Sequence, residues 1–278
     1  MEQNSIGVFD SGVGGLTVLK SLIKTLRNEN FIYFGDVARL PYGTKSEQTI
    51  KRYGFQDAKF LIEKGVKLIV VACNTVSSVA LDYLQEIFNI PIVGVIEPAA
   101  EIALEKAKNS IGIIGTLATI KSGKYSYLIK KFALEKQKNV EVYQQATSLL
   151  VPFIEDGWKN SKILKDVISE YFKINDFINK IDTLVLGCTH YPIIQDLIEQ
   201  ICGDNIFVLN SADAVSIKVK EILGKLGIES RQKDKKQKIE IYVSDVNDTV
   251  YYLTHEILSD VMNDSEIHKK IKLVEIPD

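Results

Sequence analysis

Short apolar runs alternate with longer amphipathic stretches along most of the chain, and this alternation restricts the fold more than any other feature. The apolar runs, many of them β-branched, cover 5–10, 31–36, 67–73, 91–96, 111–115, 140–146, 183–188, 206–211 and 239–244. Between them, apolar residues recur at helical spacing over 16–26, 46–65, 77–88, 99–108, 163–172, 193–202 and 212–226. A strand with one wet face alternates apolar and polar residues, whereas most of these runs are apolar at nearly every position, so both their faces must be covered. Strands of that kind, separated by helices, form parallel sheets with right-handed crossovers. The expected class is α/β.

The pattern also repeats. IGVFDSGVGGLTVL from Ile6 resembles IGIIGTLATIKSGK from Ile111, each an Ile-Gly strand that breaks at small residues. Each is followed by a strand ending in cysteine, LIVVACNT (68–75) and TLVLGCTH (183–190), and then by a strand leading into EPAAEIAL or SADAVSIK. The interval from Cys73 to Glu97 nearly equals that from Cys188 to Ser211. Matching order and spacing predict two pseudo-symmetric α/β domains with mainly parallel sheets. The lysine-rich segment RQKDKKQK (231–238) reads as a solvated loop before the last strand.

A chain of 278 residues, 46% of them hydrophobic, has apolar material for two cores. The formal net charge of −2 gives no electrostatic drive toward nucleic acid or an anionic membrane, and neither is expected as a partner. No apolar segment reaches the roughly 20 residues needed to span a bilayer. The opening MEQNSIGVFDSG lacks the basic-then-apolar pattern of a signal peptide. Three widely spaced cysteines make no disulfide framework, so a cytoplasmic location with free thiols is expected.

Ligands of open parallel sheets bind beyond the carboxyl ends of the strands. Asp10 and Ser11 close the first strand, Thr116 follows its counterpart, and Cys73 and Cys188 close the two repeated strands. Asn74 and Thr75 suit helix capping by their side chains, and Pro192 suits an early helical position. Each cysteine is therefore expected near a helix N-terminus, where partial positive charge stabilises a thiolate or receives a carboxylate. DSGVGG (10–15) fits neither a Walker loop nor the dinucleotide fingerprint. Its glycines either turn a strand sharply into a helix or free backbone N–H groups to hold a small carboxylate, with Asp10 facing the reacting centre.

A lone cysteine on an apolar strand is ordinarily a small buried hydrophobe. Two at equivalent ends of two similar halves call for another explanation. Cys73, Cys188 and His190 lack the spacing and ligand number of a metal site, and no metal is expected. One nucleophilic cysteine with His190 as base, as in an amidase, leaves the other thiol unused. A two-lobed amino-acid-binding module needs neither thiol. Two thiols facing each other across a cleft suit two-base proton transfer: a thiolate removes a proton from carbon, and a thiol delivers one to the opposite face. An unperturbed thiol titrates at about 8.5, so each needs a neighbour that adjusts it. Asp10 and His190 are the local candidates.

In combination, GVFDSGVGGLTVL, YFGDVARLPYGTKS, VVACNT, PIVGVIEPA and LVLGCTHYP resemble the glutamate racemases of the aspartate/glutamate racemase family, across about residues 5–216. The resemblance implies cofactor-independent interconversion of L- and D-glutamate for peptidoglycan. Cys73 would act on D-glutamate assisted by Asp10, and Cys188 on L-glutamate assisted by His190. Glu155 would support Cys188, although by itself it reads as an exposed acidic residue on a short helix. Ser11, Tyr42, Gly43, Asn74, Thr75 and Thr189, with Asp10 and His190, would contact the substrate. The family plan places 1–98 with 210–278 in one domain and 99–209 in the other, the active site in the cleft between them, and two copies in a homodimer.

No lysine stands out as a Schiff-base site, and no cofactor is expected. Aspartate racemase is the alternative within the family, while DSGVGG and LPYGTKS favour glutamate. Some members carry an N-terminal extension associated with activation by a peptidoglycan precursor. With the first strand starting at residue 5, that control is not expected. Cys202 reads as a helix-end core residue, and His255 and His268 as structural or surface residues.

Overall fold

The computed structural model describes residues 4–230 and 236–276, so most of the expected 231–238 loop lies outside the described residues. The strands are β1 (Ile6–Asp10), β2 (Phe31–Gly35), β3 (Leu68–Val71), β4 (Ile92–Gly94), β5 (Ser110–Gly115), β6 (Glu141–Ala146), β7 (Thr183–Gly187), β8 (Phe207–Asn210), β9 (Ile239–Val243) and β10 (Ile271–Leu273). They form two sheets, ordered β10-β9-β2-β1-β3-β4 and β6-β5-β7-β8, with every pairing parallel. The order β2-β1-β3-β4 recurs as β6-β5-β7-β8, which makes the sequence echo a repeat of topology. Cys73 and Cys188 follow β3 and β7, equivalent strands of the two α/β domains.

Burial explains the apolar runs, apart from β6, an edge strand whose residues are half-buried or exposed and which carries Glu141, Gln144 and Gln145. In the first sheet Ile6, Val8, Phe31, Tyr33, Leu68 and Val70 join one core, whereas Phe9, Ile32, Phe34, Ile69 and Val71 join another. The partition follows the two-residue pleat, with a core on each face. Burying a Val, Leu or Phe side chain in this way contributes about 1.5–3 kcal/mol, so neither face tolerates a regular polar position.

The helices are α1 (Leu16–Thr25), α2 (Glu47–Glu63), α3 (Asn74–Val79), α4 (Leu81–Ile87), α5 (Ile96–Lys106), α6 (Leu117–Ser122), α7 (Lys124–Glu135), α8 (Leu150–Glu155), α9 (Lys162–Lys173), α10 (Gln195–Cys202), α11 (Ser211–Leu226), α12 (Asp248–Leu258) and α13 (Asp264–Lys270). Three differences from the sequence reading matter. The expected helix over 77–88 starts earlier, at Asn74, and is broken at Ala80 (φ −118°, ψ −9°) into α3 and α4. Helices α6 and α7, divided by Gly123 at φ +65°, fill a stretch where no helix was expected, although Tyr125, Leu128, Ile129, Phe132 and Ala133 of α7 bury one helical face. Strand 239–244 is not the last: after α12 and α13 the chain adds β10, a partly exposed edge of three residues too short to leave a hydrophobic signature.

The last strand of the second sheet leads into α11, which packs on α1 of the first domain. There Ser21 Oγ donates to Asp213 Oδ1 at 2.8 Å. No helix among the described residues is long and apolar enough to cross a membrane.

Candidate active site

At the end of β3 the chain passes through Ala72 to Cys73, still extended (φ −63°, ψ 119°), and enters α3 at Asn74. Cys73 is buried, and its Sγ donates to Ser11 Oγ at 3.5 Å. Burial first, and the neighbouring Asp10 charge second, push this thiol up to about 12, against the opposing pull of hydrogen bonds from Ser11 and the Val76 amide. The helix start was expected to favour a thiolate here; desolvation outweighs it, and Cys73 rests as a thiol. Asn74 and Thr75 do not cap α3 as expected. They are its first residues, and their side chains reach the second domain: Tyr125 Oη donates to Asn74 Oδ1 at 2.8 Å, and Thr75 Oγ1 pairs with Thr116 Oγ1 at 2.9 Å.

Asp10 lies wholly buried behind Cys73, where its Oδ2 accepts the amides of Gly12 (3.2 Å) and Gly15 (3.0 Å). The DSGVGG amides expected to hold a substrate carboxylate are therefore, at Gly12 and Gly15, already occupied by Asp10. Burial raises the Asp10 carboxyl, opposed by His190, by these two amides and by Thr189, whose Oγ1 donates to Oδ1 at 3.4 Å. Gly14 serves close approach: a Cβ there would lie 2.5 Å from His190 Nδ1 and 2.7 Å from Thr189 Oγ1. The glycine loop of one domain is thus the seat of the cysteine loop of the other, an arrangement reinforced by Thr17 Oγ1 donating to the Thr189 carbonyl at 3.0 Å.

Beyond β7, Cys188, Thr189 and His190 precede a 3₁₀ turn, Tyr191–Ile194, with Pro192 near its start; α10 begins only at Gln195. Here a histidine, rather than a helix end, faces the thiol. His190 Nδ1 lies 3.9 Å from Cys188 Sγ, and His190 Nε2 lies 3.0 Å from Glu155 Oε1. Burial opposes a charge on the imidazole, but its hydrogen bonds to Cys188 and Glu155, and their charges, outweigh that and push it up to about 10. Glu155, read from its own surroundings as exposed, is instead partly buried at the end of α8, with 27% of its side chain accessible.

Both thiols line one cavity of about 390 Å³, together with Ser11, Tyr42, Gly43, Asn74, Thr75, Glu155, Thr189 and His190. Of the expected site residues only Asp10 is absent from its wall. Thr116, Leu117, Ser148, Val151 and Pro152 of the second domain complete it with Leu40, Pro41 and Thr44, and the lining contains no lysine or arginine. Asn74 is one of the lining residues, and its amide Nδ2 is buried without a hydrogen-bond partner.

The sequence matches a model of the Asp/Glu/Hydantoin racemase family over residues 6–217. The chain belongs to that family. It is 45% identical over 233 residues to the glutamate racemase of Chlorobaculum tepidum, covering 83% of this chain and 84% of that one. To the glutamate racemase of Aquifex pyrophilus it is 41% identical over 254 residues, 91% and 93% of the two chains. Among solved structures, a glutamate racemase isoform from Bacillus anthracis superposes with a TM-score of 0.90 at 30% identity, covering 100% and 99% of the two chains. The Francisella tularensis glutamate racemase in complex with D-glutamate superposes at 0.87 with 37% identity, covering 99% of each. The Picrophilus torridus aspartate racemase, at 18% identity and a TM-score of 0.57 over 80% of this chain and 94% of that one, shares the fold.

This racemase-family chain also holds its 40–44 wall with a group the sequence reading missed. Tyr42 lines the cavity, but its Oη is turned away to donate to Asp36 and Asp57, both fully buried. Arg39 bridges the same two carboxylates, through Nε to Asp36 at 2.5 Å and Nη2 to Asp57 at 2.9 Å. Ser244, beyond β9, donates to Asp36 Oδ1 at 2.9 Å. Nothing in the spacing of Asp36, Arg39 and Asp57 indicates that they meet; a charged residue on the apolar face of α2, Asp57 among Ile50, Gly54, Ala58 and Leu61, was the available signal.

Cys202 packs partly buried at the end of α10, and His255 and His268 lie on the surface, as expected.

Proposed function

We propose that this chain interconverts L- and D-glutamate by two-base proton transfer without a cofactor, supplying D-glutamate for peptidoglycan in the cytoplasm. One observation carries the reading: Cys73 and Cys188, at equivalent strand ends of two like sheets, open on one cavity with different proton partners. In the L-to-D direction Cys188 takes the α-proton, and Cys73, kept protonated by burial, delivers its own proton to the opposite face. The reverse direction uses them in the opposite order, so each turnover leaves the two thiols to be reset by exchanging one proton. His190, cationic through the neutral range, faces Cys188 as its charge alternates. The Ser11 and Val76 hydrogen bonds serve Cys73 when it becomes the base.

Negative charge spreading from the α-carbon into the carboxylate is met by neutral donors, Asn74 Nδ2 and the hydroxyls of Ser11 and Thr75. Such donors are worth more in a site screened from water than in solution. The choice of glutamate follows the relatives at 41–45% identity. The reading takes 1–98 with 210–278 as one domain and 99–209 as the other, with the cavity between them, and includes a homodimer, which sedimentation measures.

The test is a joint NMR and circular-dichroism time course in D₂O with L-glutamate, beside Cys73→Ala and Cys188→Ala. Loss of optical signal with deuterium entering the α-position, abolished by either substitution, is the expected result. Inversion of L-aspartate alone would change the substrate, and no α-exchange with either amino acid would return the chain to the amidase and binding-module readings.

A further inference from the structure

Tyr125, at the start of α7, is fully buried and belongs to neither cysteine motif, yet it touches both. Its hydroxyl donates to Asn74 Oδ1, the residue after Cys73, at 2.8 Å. Its ring packs against Gly187, the residue before Cys188: a Cβ on Gly187 would sit 3.3 Å from Tyr125 Cε2. Burial first, and the Cys188 charge second, hold the phenol far above its ordinary range, so it remains a neutral donor.

A primary amide can present either its N–H or its C=O end, and nothing in its shape decides which. A buried phenol O–H must find an acceptor. Donation to Oδ1 leaves Nδ2 as the other end of the amide, buried and unpartnered. The cavity that Asn74 lines has no lysine or arginine to bind an anion, so the polarity of each neutral wall group matters. We propose that Tyr125 is a positioning residue: its hydroxyl locks the Asn74 amide with the N–H end toward the cavity, so that the wall offers a donor to a substrate carboxylate. This rests on the reading above only in taking the ligand to be a carboxylate-bearing amino acid.

The experiment measures glutamate affinity by calorimetry, and kcat and KM in both directions, for the wild type, Tyr125→Phe, Asn74→Ala, the double variant and Asn74→Asp. Tyr125→Phe keeps the ring and removes one oxygen. It is expected to weaken binding and raise KM about tenfold for both enantiomers, the scale of one hydrogen bond to a charged group, with kcat changed less. In the Asn74→Ala background the same substitution adds nothing, because its effect passes through the amide. Asn74→Asp, with Tyr125 still donating to one oxygen, turns the other oxygen on the ligand and costs far more affinity than Asn74→Ala.

An unchanged KM in Tyr125→Phe, a full effect persisting without Asn74, or Asn74→Asp binding as well as Asn74→Ala would each overturn the proposal. Asn74→Asp carries the test if Tyr125→Phe does not fold. Glutamate that binds the wild type without racemisation defeats the proposed function but leaves this test intact, whereas a wild type that binds no glutamate overturns both.

Discussion

Replacing Glu155 by Gln removes a negative charge whose oxygen lies 3.0 Å from His190 Nε2, while an amide oxygen remains to accept the hydrogen bond. At a charge separation of about 4 Å and an effective dielectric of about 20, that charge is worth roughly 4 kcal/mol to the imidazolium. Glu155 is about a quarter exposed, and solvent there reduces the figure to roughly half. At about 1.4 kcal/mol per pH unit, His190 should fall from about 10 to about 8–9.

The chain contains three histidines, so ring-proton NMR resolves the titration directly, and His190→Asn assigns it. Because Cys188 lies 3.9 Å from the same ring, the midpoint belongs to the pair as observed. The sign for stability follows. A histidine raised from 6.5 to about 10 stabilises the folded state fully below its ordinary value, and that contribution fades as pH climbs through 10. Glu155→Gln should therefore be less stable than the wild type through the neutral range and below, with the difference closing between about pH 8–9 and 10. A wild-type midpoint near 6.5, or one that Glu155→Gln leaves in place, would refute this account of the Cys188 side.

Gly14→Ala puts a methyl carbon 2.5 Å from His190 Nδ1 in a buried site, so a loss of about 1–3 kcal/mol in stability and at least about tenfold in activity is expected, read from thermal melts and kcat; undiminished activity would mean that the loop shifts freely. Arg39→Met leaves Asp36 and Asp57 buried without their cation, which costs about 3–5 kcal/mol. At the lower end that is a Tm drop of about 6–12 °C. Burial and the neighbouring Asp36 already hold the Asp57 carboxyl far above its ordinary range, so Asp57→Asn should cost much less than Arg39→Met, and equal damage in melting experiments would contradict that.

The nine expected strands, the parallel sheets and the doubled plan could be read from the chain because each is a local pattern. A strand buried on both faces must be apolar at nearly every position, and two similar domains repeat that pattern at similar intervals. The cysteines were legible for the same reason, as polar punctuation at the ends of apolar runs. Helix α13 and strand β10 were not, being too short to carry a periodic signal, whereas α12 buries Val250, Leu253, Ile257 and Leu258 at helical spacing, a signal the reading passed over.

By itself the sequence determined the class, the repeat and the residue types available for chemistry, all consequences of burial along short stretches. The tertiary structure decided what those residues experience. Only folding brings Glu155 to His190, seats His190 against Gly14, buries Cys73 beside Asp10, and turns the Asn74 amide by a phenol 51 residues away. Desolvation, charge proximity and the satisfaction of buried donors depend on distance in space, and spacing along the chain carries no record of it.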